Sequence, residues 1–102
     1  MAKPSHHIRL LRAAEEDLTD IISYIAADSP ASAESVLARI ELTLAMLPGQ
    51  PRLGKRPQDD DLAGMGYRYL ITLNYLIFYT IEERAILVHR ILHGARDFRG
   101  LL

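Results

Sequence analysis

The densest run of apolar residues lies between Tyr67 and Asp97, and its pattern is typical of a β-meander. Aliphatic and aromatic residues dominate the run, and two polar breaks divide it. The first break is Leu73 and Asn74, where asparagine tolerates the left-handed backbone of a tight hairpin, and the second is Glu82 to Arg84. We therefore predict three antiparallel strands, over residues 67–72, 75–81 and 85–93.

Helical periodicity precedes the meander. Apolar residues recur at helical spacing from Ala14 to Ile25, and acidic residues near the start of this segment suit the positive end of a helix dipole. Ser29 and Pro30 form an N-cap followed by proline at the first helical position. A second apolar stripe runs from Ala33 to Leu47, before proline and glycine stop it. These patterns predict two amphipathic helices in an antiparallel hairpin.

Two further segments complete the pattern. Residues Ile8 to Arg12 are a short apolar stretch that we predict to be an edge strand paired with the meander. Between Pro48 and Gly66 the periodicity is lost, and a structureless connection of this length is often functional. The meander is hydrophobic enough to require cover on both faces. The predicted fold class is α+β, with an N-terminal edge strand and a two-helix hairpin packed on an antiparallel sheet that ends in a three-stranded meander.

Composition limits the chain to one domain, residues 1–102, because 49% hydrophobic residues in this length suffice for a single core. With 12 basic and 13 acidic residues, the net charge of -1 gives no case for strong non-specific nucleic-acid binding. The sequence has no cysteine, no signal peptide and no apolar run of about 20 residues. We expect a cytoplasmic protein with no membrane association.

Basic residues concentrate around the predicted sheet. Arg68, Arg90 and Arg96 belong to the meander and its exit, and Lys55 and Arg56 lie in the preceding connection, shortly before three aspartates. Two interpretations remain open for the connection. Its opposite charges can satisfy each other in solvent, or its cations can form a basic edge that contacts an acidic partner or phosphates.

The sequence predicts no metal and no cofactor. His89 and His93 would stand about 13 Å apart on a strand, too far to share an ion. Glycine-rich phosphate loops, nucleophile elbows and zinc-protease motifs are absent. Metal-free cleavage of RNA needs only an acid, a base and cations. For that chemistry His93 is the plausible acid or base, and its alternative role is a structural hydrogen bond to the turn.

The second predicted helix carries apolar residues outside its core stripe. At about 100° per residue, Leu42 comes out opposite Ile40 and Leu44, and Met46 follows one turn later on the same outer side. Leu42 and Met46 are either scattered surface residues or part of a patch that another chain covers.

The order of elements resembles the RelE/ParE superfamily of toxins from bacterial type II toxin–antitoxin modules. The likeness runs from about Ile8 to Asp97, and its most specific part is the ending Arg90-Ile91-Leu92-His93-Gly94-Ala95-Arg96-Asp97. The resemblance implies two helices on one face of a sheet and a groove that a cognate antitoxin fills with an extended or helical segment. Leu42 and Met46, or the other face of the sheet, would then be the antitoxin-binding surface.

Two activities compete within that superfamily. RelE-like members cut messenger RNA on the ribosome, and here His93 would act with Arg68, Arg90 and Arg96. ParE-like members inhibit DNA gyrase without catalysis. The chain lacks the C-terminal tyrosine and the lysine density of the nucleases, and its Leu-His-Gly-Ala-Arg-Asp ending is ParE-like.

We therefore expect a non-catalytic, plasmid-stabilising gyrase inhibitor, neutralised by a ParD-like antitoxin and assembled with it into a higher oligomer. Alternatives are a ribosome-dependent endoribonuclease and an inactive module that only binds a partner. Replacing Arg90 or Arg96 by alanine is expected to weaken activity and leave the fold intact. The predicted target-binding residues are Arg68, Arg90, His93, Arg96, Lys55 and Arg56.

Overall fold

The computed structural model describes residues 6–94 and 100–102. Its elements in chain order are β1 (His7–Leu10), α1 (Arg12–Asp28), α2 (Pro30–Met46), α3 (Asp60–Gly64), β2 (Arg68–Thr72), β3 (Tyr75–Ile81) and β4 (Ala85–His93). The predicted edge strand, helical hairpin and three-stranded meander are confirmed, and the α+β class with them.

Ser29 alone separates the two long helices and contributes to both of their ends. Its backbone N–H donates to the carbonyl of Ile25 at 2.8 Å, which closes α1. Its hydroxyl accepts a hydrogen bond from the backbone N–H of Ser32 at 3.2 Å, which caps α2. Pro30 then begins α2 at a position whose N–H would have no helical partner. The Ser-Pro pair therefore fixes the hairpin as the sequence predicts.

The sheet has the strand order β1-β4-β3-β2. The three strands of the meander pair antiparallel, whereas β1 pairs parallel with β4. The expected sheet was antiparallel, so this edge is a difference from prediction. Parallel pairing needs a long connection between the two strands, and the helices and the first two meander strands supply it. A four-residue strand carries no pattern from which its direction could be predicted.

The two long helices cover one face of the sheet. Ile40 and Leu47 on and after α2 are fully buried, and Ala14 of α1 is buried as well, which lets that helix approach the sheet closely. They pack against the helix-facing side chains of the central strands, which include Ile77, Tyr79, Ile86, Val88 and Ile91. Each fully buried aliphatic side chain contributes about 1.5–3 kcal/mol, so this cluster is the main core.

The other face of the sheet has a smaller cover, which confirms that both faces are protected. Phe78 and Leu92 are buried there under Leu62 of α3. The C-terminal residues Leu101 and Leu102 pack against the same cluster. The short helix and the chain end therefore supply the second layer that the hydrophobic meander requires.

The connection before β2 is not structureless, and that prediction was wrong. Asp59 accepts a hydrogen bond on Oδ1 from the backbone N–H of Leu62 at 3.1 Å and so caps α3. Asp60 and Asp61 occupy the first turn, where acidic side chains favour a helix. The aspartates mark a helix start, but five residues are too few for helical periodicity to appear in the sequence.

The phenol of Tyr79 holds the preceding part of this connection against the sheet. Tyr79 is fully buried, and its hydroxyl donates to the carbonyl of Pro51 at 2.7 Å. The same oxygen accepts a hydrogen bond from the backbone N–H of Gly54 at 2.8 Å. Burial raises the pKa of Tyr79, and the Gly54 hydrogen bond and Arg68 oppose that shift. The phenol is therefore a neutral group with both of its hydrogen bonds made inside the protein.

The hairpin between β2 and β3 differs from expectation in one residue. Leu73 has the positive φ, 55°, that we predicted for Asn74. Asn74 instead offers its carbonyl to the backbone N–H of Gly94 at 2.7 Å. The turn has the predicted length, but its left-handed residue is the leucine.

We predict that Gly54→Ala destabilises the fold. A Cβ at this position would lie 2.7 Å from Cε1 and Oη of Tyr79 and 2.8 Å from the carbonyl oxygen of Tyr69. Relieving these contacts should cost about 1–3 kcal/mol of unfolding free energy. Urea unfolding measures the loss, with Gly49→Ala as the matched control because no atom lies within 4 Å of its Cβ position. Equal midpoints for the two variants would contradict the role of this contact.

Candidate functional site

The predicted basic residues lie on different parts of the sheet. Arg68 pairs with Tyr79, whose side chain is in the core under the helices. Paired residues on antiparallel strands point to the same face, so Arg68 is on the helix side. Its Nη1 donates to the carbonyl of Gly54 at 2.9 Å. Arg68 therefore helps to hold the connection in place, whatever else it contacts.

Lys55 lies on the opposite face. Lys55 and Tyr69 exchange two backbone hydrogen bonds, each 2.9 Å, in an antiparallel bridge at the outer side of β2. Lys55 therefore shares the face of Tyr69, away from the two long helices. Both Lys55 and its neighbour Arg56 are exposed. Within residues 6–94 and 100–102 neither makes an ion pair with the nearby aspartates, so the basic-edge interpretation of this segment is the one that its geometry favours.

Arg90 forms a bidentate ion pair with Asp17 of α1. Nε and Nη2 donate to the two carboxylate oxygens at 2.7 and 2.8 Å, and the side chains are only 19% and 12% exposed. The hydrogen bond from Asp17 raises the pKa of Arg90. Nη1 also donates to the carbonyl of Leu101 at 3.1 Å. Arg90 therefore contributes a structural contact that the sequence did not predict, and its contact with a target stays a prediction.

The carboxylate of Asp17 also accepts a backbone hydrogen bond from β4 beyond the point where β1 pairs with that strand. The pairing of β1 with β4 ends at Val88, and β4 contains a register shift shortly after it. Beyond that point Oδ2 of Asp17 accepts the backbone N–H of Ile91 at 2.9 Å. One carboxylate thus joins α1, the edge of β4 and the Arg90 guanidinium.

His93 is not near the other candidate groups. Its ring meets the ring of Tyr75 edge-on at 5.7 Å. His93 and Arg68 pair with Tyr75 and Tyr79, which are four residues apart on β3, a separation of about 13 Å along the strand. Arg96 lies outside the described residues. The arrangement therefore does not bring His93, Arg68 and Arg90 to one phosphate.

His89, which the sequence reasoning considered only as a metal ligand, is a half-buried structural histidine. Nε2 lies 2.9 Å from the hydroxyl of Thr80, and Nδ1 lies 3.4 Å from that of Tyr67. Burial lowers the pKa of His89, with Glu82 opposing the shift. Within the described ranges no group of three or more His, Asp or Glu side chains could hold a metal ion. A strand pattern gives no signal for this role, because β4 has its register shift beside His89.

The predicted outward orientation of α2 residues is confirmed. Leu42 and Met46 are 63% and 43% exposed. They form an apolar strip on the side of α2 that faces away from the sheet. Whether an antitoxin covers them stays a prediction.

A second apolar surface lies on the other face of the sheet, which the resemblance offered as the alternative partner surface without naming its residues. A groove of about 280 Å³ runs along β2 on the face opposite the long helices. Ile71, 61% exposed, forms part of its wall. Its lining consists of Pro57, Gln58, Asp59, Tyr69, Ile71, Leu76 and Phe78. Because one wall belongs to the connection before α3, the groove exists only when that segment folds along the sheet.

We predict that Arg90→Ala destabilises the protein by about 1–3 kcal/mol, because it leaves the Asp17 carboxylate short of two partners. Arg90→Lys should recover part of the lost unfolding free energy, since lysine keeps the charge but cannot form the bidentate contact. Arg84→Ala, at an exposed turn position, is the control. Urea midpoints compare the three variants. An Arg90→Ala midpoint equal to that of Arg84→Ala would show that the ion pair is dispensable.

The lowered pKa of His89 predicts a pH dependence of stability. Below the ordinary value of 6.5, the unfolded chain binds a proton that the folded protein still excludes. The stabilisation from neutral His89 is present above that pH and is lost as the pH falls toward the folded-state pKa. Between about pH 7.5 and about pH 5, His89→Gln should therefore lose less stability than the wild type. Parallel plots of unfolding free energy against pH for the two proteins would refute this assignment.

Comparisons with known proteins agree with this architecture. A solved structure described as "Chromosomal ParDE TA system from P. aeruginosa" has a TM-score of 0.72 and 18% identity, and the match covers 89% of this chain and 98% of that chain. Identity this low shows a shared fold. No helix in the described part of the chain combines the length and apolarity needed to cross a membrane.

The search of curated proteins finds no match. The family model described as "ParE toxin of type II toxin-antitoxin system, parDE" matches residues 8–98. Because this match spans most of the sequence, the chain belongs to the ParE toxin family of type II toxin–antitoxin systems.

Proposed function

We propose that the toxin acts by binding and inhibiting DNA gyrase, and that a ParD-like antitoxin neutralises it. Membership of the ParE family carries the toxin role. The dispersed placement of the predicted acting groups supports a binding mode of action over RNA cleavage. The complex with the antitoxin is proposed to assemble into a higher oligomer.

Cleavage of a phosphodiester requires an acid or base and cations within hydrogen-bond reach of the same reacting atoms. Arg90 is engaged by Asp17, and Arg68 donates to Gly54. His93 is about 13 Å from Arg68 along the sheet by the rise of a β-strand. An inhibitor that binds its target has no such requirement, because separate contacts can each contribute to affinity.

The target surface is proposed to centre on Lys55 and Arg56. These cations are exposed and form no ion pair within the described ranges, so their charge is available to a partner. The remaining predicted target residues, Arg68, Arg90, His93 and Arg96, are proposed as secondary contacts. Charge complementarity of this kind sets association rate and specificity.

A supercoiling assay with purified gyrase, run beside an in vitro translation assay on the same toxin preparation, tests the proposal. We expect inhibition of supercoiling or accumulation of cleaved DNA, with translation unaffected. The double variant Lys55→Ala and Arg56→Ala should raise the half-inhibitory concentration by about tenfold, which corresponds to the loss of about 1.4 kcal/mol of binding. Arg39→Ala, an exposed residue on α2, should leave it unchanged.

Two other outcomes would overturn the gyrase proposal. Ribosome-dependent loss of messenger RNA, with gyrase unaffected, would establish the nuclease. A folded preparation that affects neither assay would leave a module that only binds a partner.

A further inference from the structure

We propose that Tyr79 is a positioning residue for target binding, because its buried hydroxyl group holds Lys55 and Arg56 where a target can contact them. The inference rests on the proposed function, since it takes these two cations as the centre of the target surface. It adds no contact between Tyr79 and the target. Tyr79 is fully buried, so it acts only through the residues that it holds.

The composition of this segment makes the placement of its cations important. The two exposed cations are followed within a few residues by three acidic side chains, so the segment as a whole is not basic. In a free chain, opposite charges this close in sequence attract each other and leave little charge for a partner. In the described ranges of the folded chain no ion pair joins the two groups, Lys55 and Arg56 on one side and Asp59, Asp60 and Asp61 on the other. Position, and not composition, therefore makes the cations available.

The aspartates have a structural position of their own at the start of α3. Oδ1 of Asp59 accepts the backbone N–H of Leu62 at 3.1 Å. Asp60 and Asp61 lie in the first turn, where the helix dipole stabilises negative charge. Pro57, which is buried, lies between the acidic residues and the cations in the chain. The cationic part of the segment therefore needs a separate anchor.

Gly54, the residue before Lys55, provides that anchor. Its N–H donates to the Tyr79 hydroxyl at 2.8 Å, and the hydroxyl donates in turn to the carbonyl of Pro51 at 2.7 Å. The carbonyl of Gly54 accepts a hydrogen bond from Nη1 of Arg68 at 2.9 Å. A Cβ at Gly54 would lie 2.7 Å from Oη of Tyr79, so only glycine permits this approach. Both polar backbone groups of Gly54 are thus fixed directly before the first cation.

The connection passes from one face of the sheet to the other at this point. Tyr79 belongs to the core under the long helices. Lys55 lies on the opposite face with Tyr69, through their two backbone hydrogen bonds of 2.9 Å. The phenol therefore fixes the helix side of the crossing, and the bridge to Tyr69 fixes the outer side. Without the phenol, the bridge and the Arg68 hydrogen bond are the described contacts left to hold the cations.

Fixed placement raises the affinity for a partner. A group that is already in its binding position loses less entropy when the partner binds. Lysine and arginine side chains are flexible, so a fixed backbone below them is the order that the fold can supply. Tyr79→Phe removes the hydroxyl group without removing a charge, because burial raises the pKa of Tyr79 and the phenol is neutral. The variant therefore tests the placement of the cations with their charge unchanged.

The supercoiling assay with purified gyrase tests the inference on the full-length chain. We expect Tyr79→Phe to raise the half-inhibitory concentration about fivefold, the effect of losing one preorganised contact. Tyr24→Phe makes the same chemical change at a side chain that is 84% exposed, and it should leave the concentration unchanged. Thr72→Val removes another buried hydroxyl group, which donates to Thr43 at 2.9 Å. It controls for a general loss of stability and should also leave inhibition unchanged.

Two further measurements distinguish positioning from stabilisation of the whole fold. In a Lys55→Ala and Arg56→Ala background, Tyr79→Phe should change the half-inhibitory concentration by less than about twofold, because the groups that it positions are gone. In NMR hydrogen exchange, the Lys55 amide should exchange about tenfold faster in Tyr79→Phe than in the wild type. Its own partner, the carbonyl of Tyr69, is unchanged in that variant. Thr72→Val should leave this exchange rate as it is.

Circular dichroism and urea unfolding check that each variant is folded. Gly54→Ala, which pushes the connection away from the same phenol, replaces Tyr79→Phe if that variant is not. Three results would overturn the inference: inhibition by Tyr79→Phe equal to that by the wild type, an equal loss in Thr72→Val, or an undiminished effect of Tyr79→Phe when the two cations are absent.

Hydrogen exchange separates this inference from the proposed function, because it needs no gyrase. Inhibition of gyrase that Tyr79→Phe leaves unchanged would refute the inference alone. Faster exchange at Lys55 in the Tyr79→Phe variant of a protein that never inhibits gyrase would refute the proposed function alone. The phenol would then still be the group that positions the two cations.

Discussion

The position of the connection before α3 depends on one buried hydroxyl group, that of Tyr79. A phenol removed from water costs about 1–3 kcal/mol if it is left without partners, and Tyr79 finds both of its partners in the connection before α3. This requirement draws the connection against β2, where Lys55 can bridge Tyr69. The same segment then continues as the wall of the groove. The groove is thus a consequence of how the core satisfies a polar group.

The ion pair between Asp17 of α1 and Arg90 of β4 is a second polar interaction that joins distant parts of the chain. The Asp17 carboxylate takes the guanidinium of Arg90 and the N–H of Ile91, where β1 no longer pairs with β4. Removing one member of such a buried pair leaves the other uncompensated. Arg90, which the sequence predicts as a target-binding residue, is therefore also part of the architecture.

Because these side chains make structural contacts, their arrangement supports the proposed binding mode of action over catalysis. Folding engages Arg68 and Arg90, and it leaves Lys55 and Arg56 without ion pairs in the described part of the chain. The groove along β2 lies on the same face of the sheet as Lys55.

The sequence by itself determined the elements, because helix and strand periodicity, the Ser29 cap and the polar turns are local signals. It also indicated the family, through the order of elements and the ending of β4. It could not determine the direction of β1 or the partners of Arg90 and Tyr79. Those depend on residues distant in the chain meeting across the sheet, as Asp17 and Ile91 do. Only the tertiary structure decided which cations were left exposed, because a charge is available to a partner only when no other part of the fold has taken it.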